Sequence, residues 1–158
     1  MINSLQNFTV SLPPLFQWFG VFVAGAIPFI ESHFGAVIGI VAGVSPPVAI
    51  FAAILGNIVS MLVFVLGADT IRSKLTGRQN IKRSPRLERL RQAFDKFGVA
   101  GVSLLSPAIL PNQLTSAALI SFGIAKKTVL FWQLISIVLW GMAAGLLAAF
   151  GVNLLSRG

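Results

Sequence analysis

The chain has 158 residues, of which 56% are hydrophobic and only 10% charged, with a formal net charge of +8 and no cysteine. A soluble domain carries about a quarter charged residues, so a water-facing surface could not be clothed. The missing cysteines exclude a disulfide framework and a thiolate metal site.

The N-terminus, MINSLQNFTV, lacks a basic n-region and a small-residue cleavage site, so the first hydrophobic block is expected to stay in the protein. Phe16–Ile27 is an apolar stretch of 12 residues that ends at Pro28 and Glu31. His33–Ser45, 13 residues, ends at Pro46-Pro47. Pro47–Ala68 follows with 22 residues, enough to cross a bilayer, which needs about 20.

The basic excess is concentrated next. Residues 69–97 hold nine Lys/Arg (Arg72, Lys74, Arg78, Lys82, Arg83, Arg86, Arg89, Arg91 and Lys96) against Asp69, Glu88 and Asp95. A basic stretch between hydrophobic blocks is the positive-inside pattern and argues against nucleic acid as a partner. Ser84-Pro85 reads as a helix N-cap and first position. Leu87, Leu90, Phe94 and Phe97 follow at helical spacing. The segment is expected to lie as a basic amphipathic helix on the inner leaflet, or to serve as a solvated connector.

Gly98–Leu110, 13 residues, contains Pro107 and ends at Pro111. Asn112–Ile124, also 13, stops before Lys126 and Lys127, which are placed to meet lipid headgroups. Thr128–Leu155, 28 residues, is the second segment long enough to span, with Trp132 near its start as an interfacial aromatic.

The short stretches reach only about 20 Å as helices, against a hydrocarbon core of about 30 Å. Paired around proline-rich breaks, with Pro28, Pro46 and Pro47 as helix breakers in the first half, they read as re-entrant hairpins. Ordinary spans, such as Leu12–Ile30 alone, are the competing reading. The two halves echo each other. Phe16-Gln-Trp-Phe-Gly-Val21 resembles Phe94-Asp-Lys-Phe-Gly-Val99 at an offset of 78, Pro28 falls near Pro107 at 79, and Gly43 falls on Gly123 at 80. A hairpin returns to its own side, so a hairpin plus a span crosses once and the second copy is inverted.

The expected fold is an all-α membrane protein of two inverted repeats, each a re-entrant helical hairpin plus one transmembrane helix. A basic cytoplasmic amphipathic linker joins them. One membrane domain, 1–158, divides into 1–68, the linker 69–93, and 94–158. Loop 69–97 is placed in the cytoplasm, both termini outside, and the protein in a prokaryotic plasma membrane. Gly35, Gly39 and Gly43, and Gly141 and Gly145, recur every fourth residue and are expected to pack helices closely or to form a dimer.

No nucleophile–base pair, metal-ligand spacing or phosphate loop is present, so neither an enzyme nor a cofactor is expected. Glu31 is the only acid within a hydrophobic block. A charge at bilayer depth costs at least about 2.5–3.5 kcal/mol, so it should be protonated, paired or wet. It is a candidate proton carrier with His33 beside it, or a cap on the following half-helix. The second break supplies Pro107, Pro111, Asn112 and Gln113, which suit a polar pocket or a surface turn. Asn57 and Ser60, one turn apart in the first span, face a cavity or bond a neighbouring helix.

Ile27-Pro28-Phe29-Ile30-Glu31, the glycine-rich limb after it and Leu55-Gly56-Asn57 resemble the small multidrug export family, relatives of the DedA (SNARE-associated, VTT) superfamily of membrane proteins. The resemblance runs from about Phe16 to Gly151. It implies two opposed re-entrant hairpins, and either proton-coupled drug efflux or transport of a lipid such as undecaprenyl phosphate. Glu31 matches the hairpin acid of that pattern, while Ser103–Thr115 lacks the arginines that DedA proteins place there.

Three functions compete. The first is a proton-linked exporter of small, cationic amphiphiles. The second is a phospholipid or polyprenyl-phosphate flippase or scramblase, using the half-helix N-termini with Lys126 and Lys127. The third is a non-transporting membrane structural protein. Membrane lipids and a small-molecule or lipid substrate are the expected partners, and the small unit points to a homodimer.

Overall fold

Proline and glycine set the helix boundaries. The computed structural model describes residues 1–74 and 85–155, with side chains except those of 68–74, 86 and 87. These residues form seven α-helices and no strand. Arg78, Lys82, Arg83 and Ser84, part of the expected linker, lie outside the described residues, as do the side chains of Arg72, Lys74, Arg86 and Leu87.

Helix α1 (Ile2–Ser11) stops before Pro13-Pro14, which begin a single 3-10 turn at Pro14–Phe16. Helix α2 (Gln17–Ala26) ends at a turn containing Pro28, and α3 (Glu31–Val41) follows. Leu12–Ile30 is therefore not one continuous helix, and the ten residues of α2 rise only about 15 Å. Helix α4 (Pro46–Lys74) starts on the double proline, where the missing N–H groups cost nothing. Helix α5 (Pro85–Ile109) is bent at Gly98, whose φ of 67° and ψ of −170° suit only glycine. Helices α6 (Asn112–Ser121) and α7 (Lys126–Leu155) complete the chain. Two stretches, Pro46–Gly67 and Lys126–Leu155, are long and apolar enough to cross a membrane.

The chain divides into two units, Met1–Val59 with Ile137–Gly158, and Ser60–Ser136. In the first, α2 and α3 run antiparallel, with Gly25 facing Gly35 and Val21 facing Gly39. Helix α1 covers one side, seating the buried Thr9 on Gly20. Val21, Ala36, Ile40, Ala49, Ala52 and Ala53 form the core. A side-chain carbon at Gly25 would lie 2.8 Å from the Cα of Ala53, and one at Gly56 would lie 2.9 Å from the carbonyl carbon of Phe22. Helices α2 and α4 thus meet backbone to backbone, as helices associate within lipid. Gly141 and Gly145 of α7 likewise accept Ser32 with Ile54, and Ile50 with Ala36.

Gly43 departs from the expected packing stripe. It has φ +92° and no neighbour within 4 Å of a side-chain carbon placed there. It closes α3 instead: its N–H bonds the Ile40 carbonyl, and the Val44 N–H bonds that of Gly39. This left-handed cap is a role that glycine fills at no steric cost.

In the second unit, the 99–109 arm of α5 runs antiparallel to α6. Gly123, φ +93°, caps α6 with the same pair of bonds, to Ile120 and from Ile124 to Leu119. Helix α5 runs through Pro107 to Ile109 and α6 starts at Asn112, in line with the expected stretch Gly98–Leu110 ending at Pro111. The 85–97 arm is helical as expected, but its stripe is not free to face lipid. Leu90 is fully buried against Val102, Leu119 and Val129, and Phe94 packs on Phe122 at 6.0 Å. Arg91 stands 5.6 Å over the Phe122 ring, a cation–π contact beside the end of α6. Phe97 remains exposed.

Candidate functional site

The turn between α2 and α3 is built from unusual backbone. Phe29 and Glu31 have positive φ, 74° and 55°. Side chains other than glycine occupy that region at a cost of about 1–3 kcal/mol, and such residues cluster at functional sites. The turn is held by the N–H groups of Ile30 and Glu31, both bonded to the Ile27 carbonyl. The result aims Glu31 inward, 1% exposed, while Phe29 is left outside.

Glu31 Oε2 lies 3.9 Å from His33 Nδ1, so the structure brings together the two residues singled out at this turn. His33 in turn packs against Phe34 at 4.6 Å and Trp140 at 6.4 Å. Ser32, buried between them in sequence, donates a 2.8 Å bond to the Ile137 carbonyl and ties α3 to α7. Asn57 is fully buried in α4 of the same unit. A carboxyl and an imidazole within this distance can exchange a proton through one another or through water.

In the second unit the α5–α6 turn is lined by neutral groups. Pro111 caps α6 in an extended conformation and is buried, with Pro107 one turn before it on α5. Asn112 Oδ1 accepts from Ser106 Oγ at 2.7 Å. Gln113 Nε2 donates to Ser60 Oγ at 3.2 Å, so Ser60 serves this turn. Ser116 Oγ donates to the Asn112 carbonyl and Thr115 Oγ1 to that of Leu110. Lys126 and Lys127 are exposed at the start of α7.

Ser103, Thr115, Ser116, Gln133 and Ser136 carry no motif in the sequence, yet all are buried. Their signal was helical spacing. Gln133 lies four residues from both Val129 and Ile137, two fully buried apolar positions. An apolar groove of about 570 Å³ runs between Trp18 and Phe22 of α2 and Pro47, Phe51 and Leu55 of α4. It offers no polar group to orient a substrate. Among the described residues no three His, Asp or Glu gather as a metal site.

No family model matches the chain, and no curated protein or solved structure is significantly similar to it.

Proposed function

We propose that the protein is a membrane transporter in which Glu31 carries a proton in exchange for a small cationic amphiphile. The carrying observation is a carboxyl buried to 1% on a left-handed turn between two short helices. A neutral residue or glycine would form the turn at lower cost, which supports a functional reading of the acid.

Helices of ten and eleven residues cannot cross a bilayer, whereas α4 and α7 can. In this reading the α2–α3 and α5–α6 pairs enter the bilayer and return, and the basic stretch stays in the cytoplasm. Irregular backbone at that depth must be covered by protein or face water, a condition that both turns meet through buried polar partners. The resemblance to the small multidrug export and DedA proteins supports the same architecture. The sign of Glu31 favours a proton or cation over the phosphate of a lipid.

Proteoliposomes holding wild type or Glu31→Gln test the idea. With a pH-sensitive dye inside, a hydrophobic cation added outside should drive proton movement through wild type. Glu31→Gln should reduce it at least tenfold while leaving the fold intact by circular dichroism. Equal proton movement in the two proteins would refute the assignment.

A further inference from the structure

The basic arm and the two lysines that start α7 take no part in proton exchange at Glu31, yet the second unit gathers them at one end. Residues 85–97 turn at Gly98, where φ is 67° and ψ −170°. A straight helix would carry Leu90 about 18 Å from Val102. The turn instead seats Leu90 in one core cluster with Val102, Leu119 and Val129, and Phe94, Phe122 and Ile124 pack against it. The arm therefore lies against the joint between the end of α6 and the start of α7.

This docking puts cations from two distant stretches around one joint. Arg91 follows Leu90 and stands 5.6 Å over Phe122, the residue that caps the end of α6. Lys126 lies one turn before the buried Val129 on α7, with Lys127 beside it. Arg91, Lys126 and Lys127 are all exposed. Glu88 and Asp95 lie three and four residues from Arg91 on the arm. Even so, Arg91 and Lys127 have no ion-pair or hydrogen-bond partner among the described residues. No acid follows Asp95 anywhere in the sequence, so the start of α7 has no carboxylate of its own.

We propose that Arg91, Lys126 and Lys127 form a headgroup site for an anionic phospholipid. Lys126 begins a helix that is long and apolar enough to cross a membrane, so the site falls where headgroups meet hydrocarbon. Phe122 holds one face of the guanidinium, which leaves its N–H edge to grip a phosphate with two parallel bonds. The lysine ammonium groups add charge without fixing a direction. Because Leu90 and Phe94 already dock the arm, binding orders no further chain. Helical spacing sets Arg89 and Lys96 on the other flank of Leu90, outside the site. The proposal rests on α7 crossing the bilayer, as read above, and not on proton transfer at Glu31.

The test uses the full chain purified in a nonionic detergent. Native mass spectrometry would compare phosphatidylglycerol with phosphatidylcholine of the same acyl chains. Each Lys or Arg near an anionic headgroup contributes roughly fivefold, so phosphatidylglycerol should bind at least tenfold more tightly. Lys126→Gln/Lys127→Gln should fold as wild type does by circular dichroism and cut that preference at least fivefold. Adding Arg91→Gln should abolish it. Arg89→Gln/Lys96→Gln removes the same number of charges from the other flank and should keep the preference within twofold. Glu31→Gln should bind lipid as wild type does, so the site and proton exchange succeed or fail separately. Equal binding of the two lipids by wild type overturns the proposal. Equal losses in the two double variants also overturn it, since net charge alone would then be the attraction. Release of the protein from membranes by alkaline carbonate would sink the membrane reading itself, and the site with it.

Discussion

The close approach of α2 and α4 can be tested with one methyl group. In Gly56→Ala the new carbon would lie 2.9 Å from the Phe22 carbonyl carbon and 3.1 Å from the Ala26 nitrogen, and closer still to the Phe22 oxygen. Carbon contacts prefer about 3.5–4.0 Å, so the carbonyl carbon alone requires the helices to part by roughly 0.6–1 Å, and the nearer oxygen requires more. Both obstructing groups are backbone within a helix and cannot rotate away. Overpacking of this kind costs typically about 1–3 kcal/mol, and a rigid backbone obstacle places it at the upper end. Alanine's better helix propensity returns about 1 kcal/mol, leaving a net loss of about 2 kcal/mol. Gly67, on the same helix, has nothing within 4 Å, so Gly67→Ala should gain the propensity alone. Reversible unfolding in mixed micelles, followed by circular dichroism as sodium dodecyl sulfate is titrated, would give both values. If the two variants agree within about 0.5 kcal/mol, the backbone contact is not what holds these helices together.

Two further outcomes follow from the caps and the basic arm. Gly43→Ala and Gly123→Ala meet no atoms but need a left-handed backbone; each should lose about 1–2 kcal/mol in the same titration, and Asn at either position should lose less. Leu90→Ala empties a fully buried position in the second unit's core and should cost about 2–5 kcal/mol. Hydrogen exchange should then speed up across 85–97 before it does in α7.

The long elements were legible because proline and length define them. Pro46-Pro47 starts α4, and the expected second span, Thr128–Leu155, lies within α7 with two residues to spare. Glu31 stood out as a lone acid, and its pairing with His33 follows from their separation by one residue in a turn. Other features depend on what lies across a gap, which a linear pattern does not encode. Gly43 shares the four-residue spacing of Gly35 and Gly39, yet only backbone handedness separates a cap from a contact. Leu90 carries the same stripe whether it meets lipid or protein. Gln133 and Ser136 do not stand out in the sequence because two polar residues hardly alter the mean of a 30-residue apolar helix.

The paired caps have a consequence for how the chain tolerates change in length. Helix α4 begins three residues after Gly43 and α7 three residues after Gly123. Each cap therefore clocks the long helix that follows it. One residue inserted at Ser45 or Ala125 would turn everything downstream by about 100°. Ala49, Ala53 and Gly56 would swing off their seam together, and so would Val129, Gln133 and Ser136. Substitutions can alter these faces one position at a time, but an insertion at either joint resets a whole helix, so both joints should be fixed in length while their residue identities vary.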